Sequence, residues 1–304
     1  MSEPTPREKY VGLRSGLITS GLDLNRLQKA SAADADFIHI ELEDGIPPAR
    51  KAEARETVVK ALTTLDWSGK ITMPRVNSVD SGCLEDDIDV VTAGSPTAFL
   101  LAKCQGPEDV HYLDRVIDRA ERRHGLVSGV IKIALMIERA RAFKTMDTLA
   151  TASLRMLAFH IGPTDLSTEL GYRRTYVGQE LETFFVRSSV VVAAHSSGLL
   201  AFDTPCVHFR DQEETYRQAR WSYHTGFDAK SCVYPPQLAA VNRAFSPTAD
   251  EIHWANEVFA GKAEAEAAGV AVWERAGMML DDAMVARATS ILAAAEKATK
   301  QLGV

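Results

Sequence analysis

Short apolar runs recur along the chain, bounded by charge or by Gly and Pro, and alternate with segments of helical period. The pattern predicts strands over Val11–Ile18, Asp36–Leu42, Lys70–Val76, Thr97–Ala102, Ile131–Ile137, Met156–Ile161, Leu199–Phe202 and Ala229–Val233. Between them it predicts helices over Asp23–Ala33, Pro47–Leu62, Glu85–Ala93, Pro107–His124, Glu180–Ser196 and Asp211–Thr225, with a further helical segment between the fifth and sixth strands. Runs apolar at nearly every position, such as IKIALMI, suit strands buried on both faces. Eight strand–helix units in series fit a closed (β/α)₈ TIM barrel. An open doubly wound sheet is the fallback, but no G-x-G-x-x-G follows the first strand.

The chain after 245 changes character. Thr248 and Glu251 stand at capping-box spacing behind Pro247, and a helix follows through Ala267. A loop, Gly269 to Leu280, leads to a last helix, Asp281 to Thr299, with an Ala-rich face. The predicted organisation is a catalytic barrel over 1–245 and a helical extension over 246–304. An extension beyond a complete barrel is free to cover a neighbouring subunit as a lid.

With 304 residues the chain accommodates one such barrel, since these domains run to roughly 250 residues. Charged residues at 25% and hydrophobic ones at 46% are ordinary for a soluble globular protein. A formal charge of −7 and no long Lys/Arg run argue against nucleic acid as a partner. The four cysteines are scattered, with no CxxC pair, and suit reduced thiols in a cytoplasm. No apolar stretch is long enough to span a membrane, and the polar start lacks a signal-peptide core. The expectation is a soluble, cytoplasmic protein with no membrane partner.

In a barrel of this kind chemistry sits at the C-terminal ends of the strands. The polar residues expected there are Glu41, Glu43, Asp44, Arg75, Asn77, Lys103, Glu138, Asp165 and Asp203, with Arg14 inside the first strand. Glu138 and Asp165 each stand where a buried strand breaks into a loop. Such a pair suits a hard divalent cation, because Mg²⁺ takes oxygen ligands and commonly uses one or two carboxylates. Ordinary loop acids, one of them capping a helix, are the other reading. His39 and His160 lie on strands of buried type and read as satisfied core histidines. No G-x-S-x-G and no Cys beside a His suggests a nucleophile.

Several short motifs carry a family resemblance. They are Arg14-Ser15, Leu42-Glu43-Asp44-Gly45 with Ala49-Arg50-Lys51, Pro74-Arg75-Val76-Asn77, Ile137-Glu138, Gly162 to Leu166, Gly226 to Lys230, and Gly277 to Asp281. Together, in order, they resemble the citrate lyase beta-subunit-like and malyl-CoA lyase family (citramalyl-CoA lyase-like), within the Mg-dependent pyruvate/oxaloacetate aldolase superfamily. The resemblance implies a carbon–carbon lyase acting on a β-hydroxyacyl-CoA, with Mg²⁺ (or Mn²⁺) as cofactor and a homotrimer or hexamer as the assembly. It implies Glu138 and Asp165 as metal ligands, with Asp44 and Glu43 orienting metal-bound water. Arg75 would meet the developing enolate oxygen, and Asp281 from a neighbour's lid would exchange the proton, although helix capping suits it equally. Arg14 and Lys103 would hold the substrate acid or the CoA phosphates.

Three positions depart from the family pattern: Thr19-Ser20-Gly21-Leu22 replaces a glycine-proline, Tyr234 stands where His is common, and Met278 where Lys is common. Two other activities fit the same scaffold. Gly162 to Ser167 and Leu170-Gly171-Tyr172 resemble CoA-independent class II aldolases of 4-hydroxy-2-oxo acids, which usually carry a base His where Asp44-Gly45 stands here. A thioesterase cleaving malyl-CoA with metal-organised water is the other. A non-catalytic subunit fits poorly with an intact metal pair.

Overall fold

Eight parallel strands close on themselves in sequence order in the computed structural model, which describes residues 4–275 and 277–301. The strands are β1 (Ser15–Ser20), β2 (Phe37–Glu41), β3 (Ile71–Val76), β4 (Ala98–Leu101), β5 (Lys132–Ile137), β6 (Met156–Ile161), β7 (Leu200–Asp203) and β8 (Ala229–Cys232). β8 pairs back to β1 from Ser15↔Lys230 to Leu17↔Cys232, so the sheet has no edge. The (β/α)₈ expectation holds, and β6 runs over the very residues that the apolar run marks.

Alternation along each strand divides the apolar residues between two cores. Phe37, Met73, Leu100, Met136 and Phe202 point into the barrel. Ile38, Ile40, Phe99, Leu135 and Phe159 point outward beneath the helices. Inside, the Phe37 and Phe202 rings stack 4.5 Å apart across the barrel. The stack is possible because β1 contributes Gly16: a Cβ there would meet the Phe37 ring at 2.1 Å.

Three differences from the sequence reading stand out. β1 begins at Ser15, not Val11, because a short capped helix, Pro6–Lys9, and the turn at Gly12 (φ +74°) occupy the preceding residues. Tyr10 and Leu13 from this segment join the inner core and close the N-terminal end of the barrel. Second, a helix over Gln237–Phe245 follows β8, burying Leu238, Val241, Ala244 and Phe245. Third, the segment between β5 and β6 is two short helices, Ala140–Lys144 and Met146–Ala150.

The helix Ala249–Ala268 opens with the Thr248/Glu251 capping box that the spacing predicts. The expected loop after it contains an antiparallel hairpin, β9 (Trp273–Arg275) with β10 (Met278–Leu280). Gly261 lets the Trp273 ring lie on the helix, since a Cβ would sit 2.5 Å from its Nε1. Ala255, Val258, Leu280, Ala288 and Ile291 bury one another between this helix and the last one, Asp282–Gln301. No helix among the described residues is long and apolar enough to cross a membrane.

Gly16→Ala tests the inner packing. Overpacking a filled core costs about 1–3 kcal/mol, so the variant should unfold at measurably lower denaturant; an unchanged midpoint would show that the Phe37–Phe202 stack has room to yield.

Candidate active site

Inward-pointing positions at the C-terminal ends of β2 and β3 carry charge, Glu41 above His39 and Phe37 on β2 and Arg75 above Met73 and Ile71 on β3. Glu41 and Arg75 are register partners in the β2–β3 ladder, and the pairing places Arg75 Nη2 2.5 Å from Glu41 Oε2 and 3.3 Å from Glu43 Oε2. Gly45 makes space for this, because a Cβ there would sit 2.7 Å from Glu41 Cγ. The loop bearing Glu43 and Asp44 is pinned from below: Lys51 Nζ donates to the Leu42 and Glu43 carbonyls and to Asn77 Oδ1. Lys51 and Gly45 escaped the site reading of the sequence, although both lie inside the motifs that carry the resemblance.

Lys103, just past β4, joins the two halves of the rim. Its φ of +52° is uncommon for a residue with a side chain. In that conformation its backbone N–H donates to Glu138 Oε1 at 2.7 Å. Its ammonium reaches the other way, 2.5 Å from Glu43 Oε1 and 2.8 Å from Asp44 Oδ1. Burial opposes ionisation of Asp44, but the Lys103 hydrogen bonds outweigh it and hold the carboxyl below its ordinary range. For the more enclosed Glu43, burial prevails over Lys103 and Arg75, and the carboxyl is raised.

Glu138 directly follows β5 and is almost fully buried, 2% exposed. Burial pushes its carboxyl up to about 7, against the Lys103 N–H and Arg75 and with help from neighbouring Asp165 and Glu43. Asp165 lies in the first turn of the helix Pro163–Leu170, which starts directly after β6. Gly162, at the junction, gives Glu138 its place: a Cβ would meet Glu138 Cβ at 2.6 Å and Oε2 at 2.9 Å. A buried carboxyl with one oxygen bonded to an amide, set beside a second acid, is a donor set that suits a small oxygen-seeking dication.

Arg75, Lys103, Asp44, Glu43, Glu138 and Asp165 thus share one rim; three other expected residues do not join them. Arg14 precedes β1 at the opposite, N-terminal end, where it pairs with Asp34 (2.9 Å) and Asp36 (3.2 Å). It is therefore removed from the rim, and its place inside the first strand is corrected. Asp203 follows inward-facing Phe202 and so points outward, bonded to Lys230 at 2.8 Å and to Arg187 and Ser222 beneath the helices. Asp281 caps the last helix, its Oδ1 accepting from Ala283 N (3.0 Å) and Met284 N (3.2 Å). The histidines split. His160 is satisfied by Ser231 Oγ at 2.7 Å and the Ile161 carbonyl at 3.2 Å, whereas neither ring nitrogen of buried His39 has a partner.

Residues 14–235 match the sequence pattern of the HpcH/HpaI aldolase/citrate lyase family. The chain belongs to that family. As a member it is an enzyme of the aldolase/citrate lyase type, a carbon–carbon lyase. It is 30% identical to the citrate lyase subunit beta of Leuconostoc mesenteroides subsp. cremoris, over 92% of either chain. The mitochondrial citramalyl-CoA lyase of Mus musculus is 28% identical, over 93% of this chain and 86% of its own. Among solved structures, protein CitE from Mycobacterium tuberculosis in complex with magnesium, acetoacetate and coenzyme A superposes with a TM-score of 0.78 at 26% identity, over 94% of this chain and 98% of that one.

The raised Glu138 carboxyl has a signature in stability. Folded, it titrates near 7; its ordinary value is 4.5. Between these values the folded chain holds the extra proton, so this group's contribution to stability falls as pH rises through the window. Denaturation of metal-free protein at about pH 5 and about pH 8 should show a Glu138-dependent loss of about 1–3 kcal/mol. Glu138→Gln should flatten that difference; an undiminished slope would count against the burial effect.

Proposed function

We propose that this enzyme is an Mg²⁺-dependent lyase that cleaves or forms the carbon–carbon bond of a β-hydroxyacyl-CoA of the malyl- or citramalyl-CoA type. The products would be acetyl-CoA, or another acyl-CoA, and a 2-oxo acid such as glyoxylate, pyruvate or oxaloacetate. The observation that carries this reading is buried Glu138 beside Asp165, facing Arg75 and Lys103 across one rim. The magnesium, acetoacetate and coenzyme A in the complex of the M. tuberculosis relative support it.

Glu138 and Asp165 would hold the dication, with Mn²⁺ an alternative occupant and Asp44 and Glu43 orienting its water. Bound there, the ion supplies a Lewis acid toward the oxygens of the 2-oxo acid. In the cleavage direction a base takes the proton of the substrate hydroxyl and the bond to the acyl α-carbon breaks. The electron pair passes to the thioester carbonyl, where Arg75 meets the developing negative oxygen. The resulting enolate takes a proton on carbon to give the acyl-CoA.

We assign the proton exchange to Asp281, delivered by the extension of a neighbouring copy in a homotrimer or hexamer. Capping occupies Oδ1 and leaves Oδ2 for this work. Lys103 balances Glu43 and Asp44 beside the substrate acid. The described cysteines are all free, in keeping with a reducing, cytoplasmic setting.

Incubation with Mg²⁺ and malyl-CoA or citramalyl-CoA tests the assignment. Acyl-CoA plus a 2-oxo acid is the expected result. Free CoA with intact malate would replace the lyase by a thioesterase, and no turnover would favour the CoA-independent aldolase that the Gly162–Tyr172 wording resembles. Asp165→Ala should abolish turnover with the fold retained, and Arg75→Gln should lower kcat by about 10²–10³. Because metal ligands must shed their protons, Mg²⁺ affinity measured by calorimetry should weaken by about tenfold per pH unit below about 7; a flat profile would remove Glu138 from the metal.

A further inference from the structure

His39 lies one inward step below Glu41 on β2, 1% exposed, with both ring nitrogens unpartnered. Buried polar groups normally find partners, and this barrel satisfies its other interior imidazole, His160, whose ring stands edge-on 6.0 Å away. His39 Nε2 is 3.7 Å from Glu41 Oε2, just beyond a hydrogen bond. That same oxygen is the one that Arg75 Nη2 holds, while Glu41 Oε1 accepts from the Glu43 N–H at 2.5 Å. Glu41 is thus the nearer of two anions on Arg75, with Glu43 Oε2 at 3.3 Å.

The proposed reaction asks Arg75 to turn toward a second anion, the oxygen that develops on the thioester. As it does so, Glu41 Oε2 loses its donor while still buried, and an unpaired buried charge is strongly disfavoured. His39 Nε2 faces that oxygen from 3.7 Å. Burial, with Arg75 and His160, holds His39 well below its ordinary range, so it offers one N–H and no added charge.

We propose that His39 is a positioning residue for Arg75: its Nε2–H takes over Glu41 Oε2 when Arg75 engages the substrate oxyanion, and releases it when product leaves. No proton changes hands; one hydrogen bond to Glu41 replaces another. The inference rests on the lyase reading, through the oxyanion at Arg75.

Kinetics with Mg²⁺ and malyl-CoA or citramalyl-CoA provide the test. No turnover by the unsubstituted enzyme on either ester overturns the lyase reading and this inference with it. With turnover in hand, His39→Leu should lower kcat by about tenfold with KM altered far less. His39→Gln, which keeps an N–H donor at similar reach, should restore most of the loss. An unchanged kcat in His39→Leu, or equal losses in the two variants, overturns the His39 role alone.

Should His39→Leu fail to fold, ¹⁵N-histidine NMR of the unsubstituted protein decides, with His39 assigned from the His39→Gln spectrum. Adding Mg²⁺, acetyl-CoA and glyoxylate should move the His39 Nε2–H into the hydrogen-bonded range and leave His160 in place. A stationary His39 resonance overturns the inference.

Discussion

A surplus of carboxylates at one rim is the constraint around which this barrel is organised. Glu41, Glu43, Asp44, Glu138 and Asp165 converge there against two cations, Arg75 and Lys103. In water such crowding would be trivial, but Glu138 and Glu43 are buried, and that burial above all raises their carboxyls, with Asp165 and Glu43 adding to it at Glu138. Perturbed groups of this kind cluster at functional sites. Under the function proposed above, a divalent cation held by Glu138 and Asp165 would offset most of that surplus.

Much of this was legible in the sequence. Buried strands declare themselves as apolar runs, and a barrel carries its chemistry where those runs end, which is why the placement of Glu138, Asp165 and Arg75 at one rim is readable there. Position along a strand alone misleads, however, because orientation alternates. Asp203 and Arg75 both lie near strand ends, yet only Arg75 has the parity that faces the interior; Phe202, inward, commits Asp203 to the helix layer. Arg14 misled for a related reason: the turn at Gly12 shortened β1 and left that arginine at the far end.

Other features lay beyond sequence reasoning. Whether a buried histidine is satisfied depends on what stands opposite it, and His39 and His160 read alike until Ser231 falls beside one of them. The short hairpin before the last helix lacked an alternating pattern, and packing of Trp273 over Gly261 fixes it from outside. Glycines 45 and 162 matter through absent atoms, which no charge or hydropathy pattern reveals.

Lys103 carries a consequence for motion. Its amide grips one carboxylate, its ammonium grips two more on the loop after β2, and a single unusual backbone angle fixes the relation between them. The end of β4 therefore acts as a crosspiece rather than a hinge. Because both sets of contacts issue from one residue, the end of β4 ties Glu138 to the Glu43–Asp44 loop and so joins the two flanks of the rim.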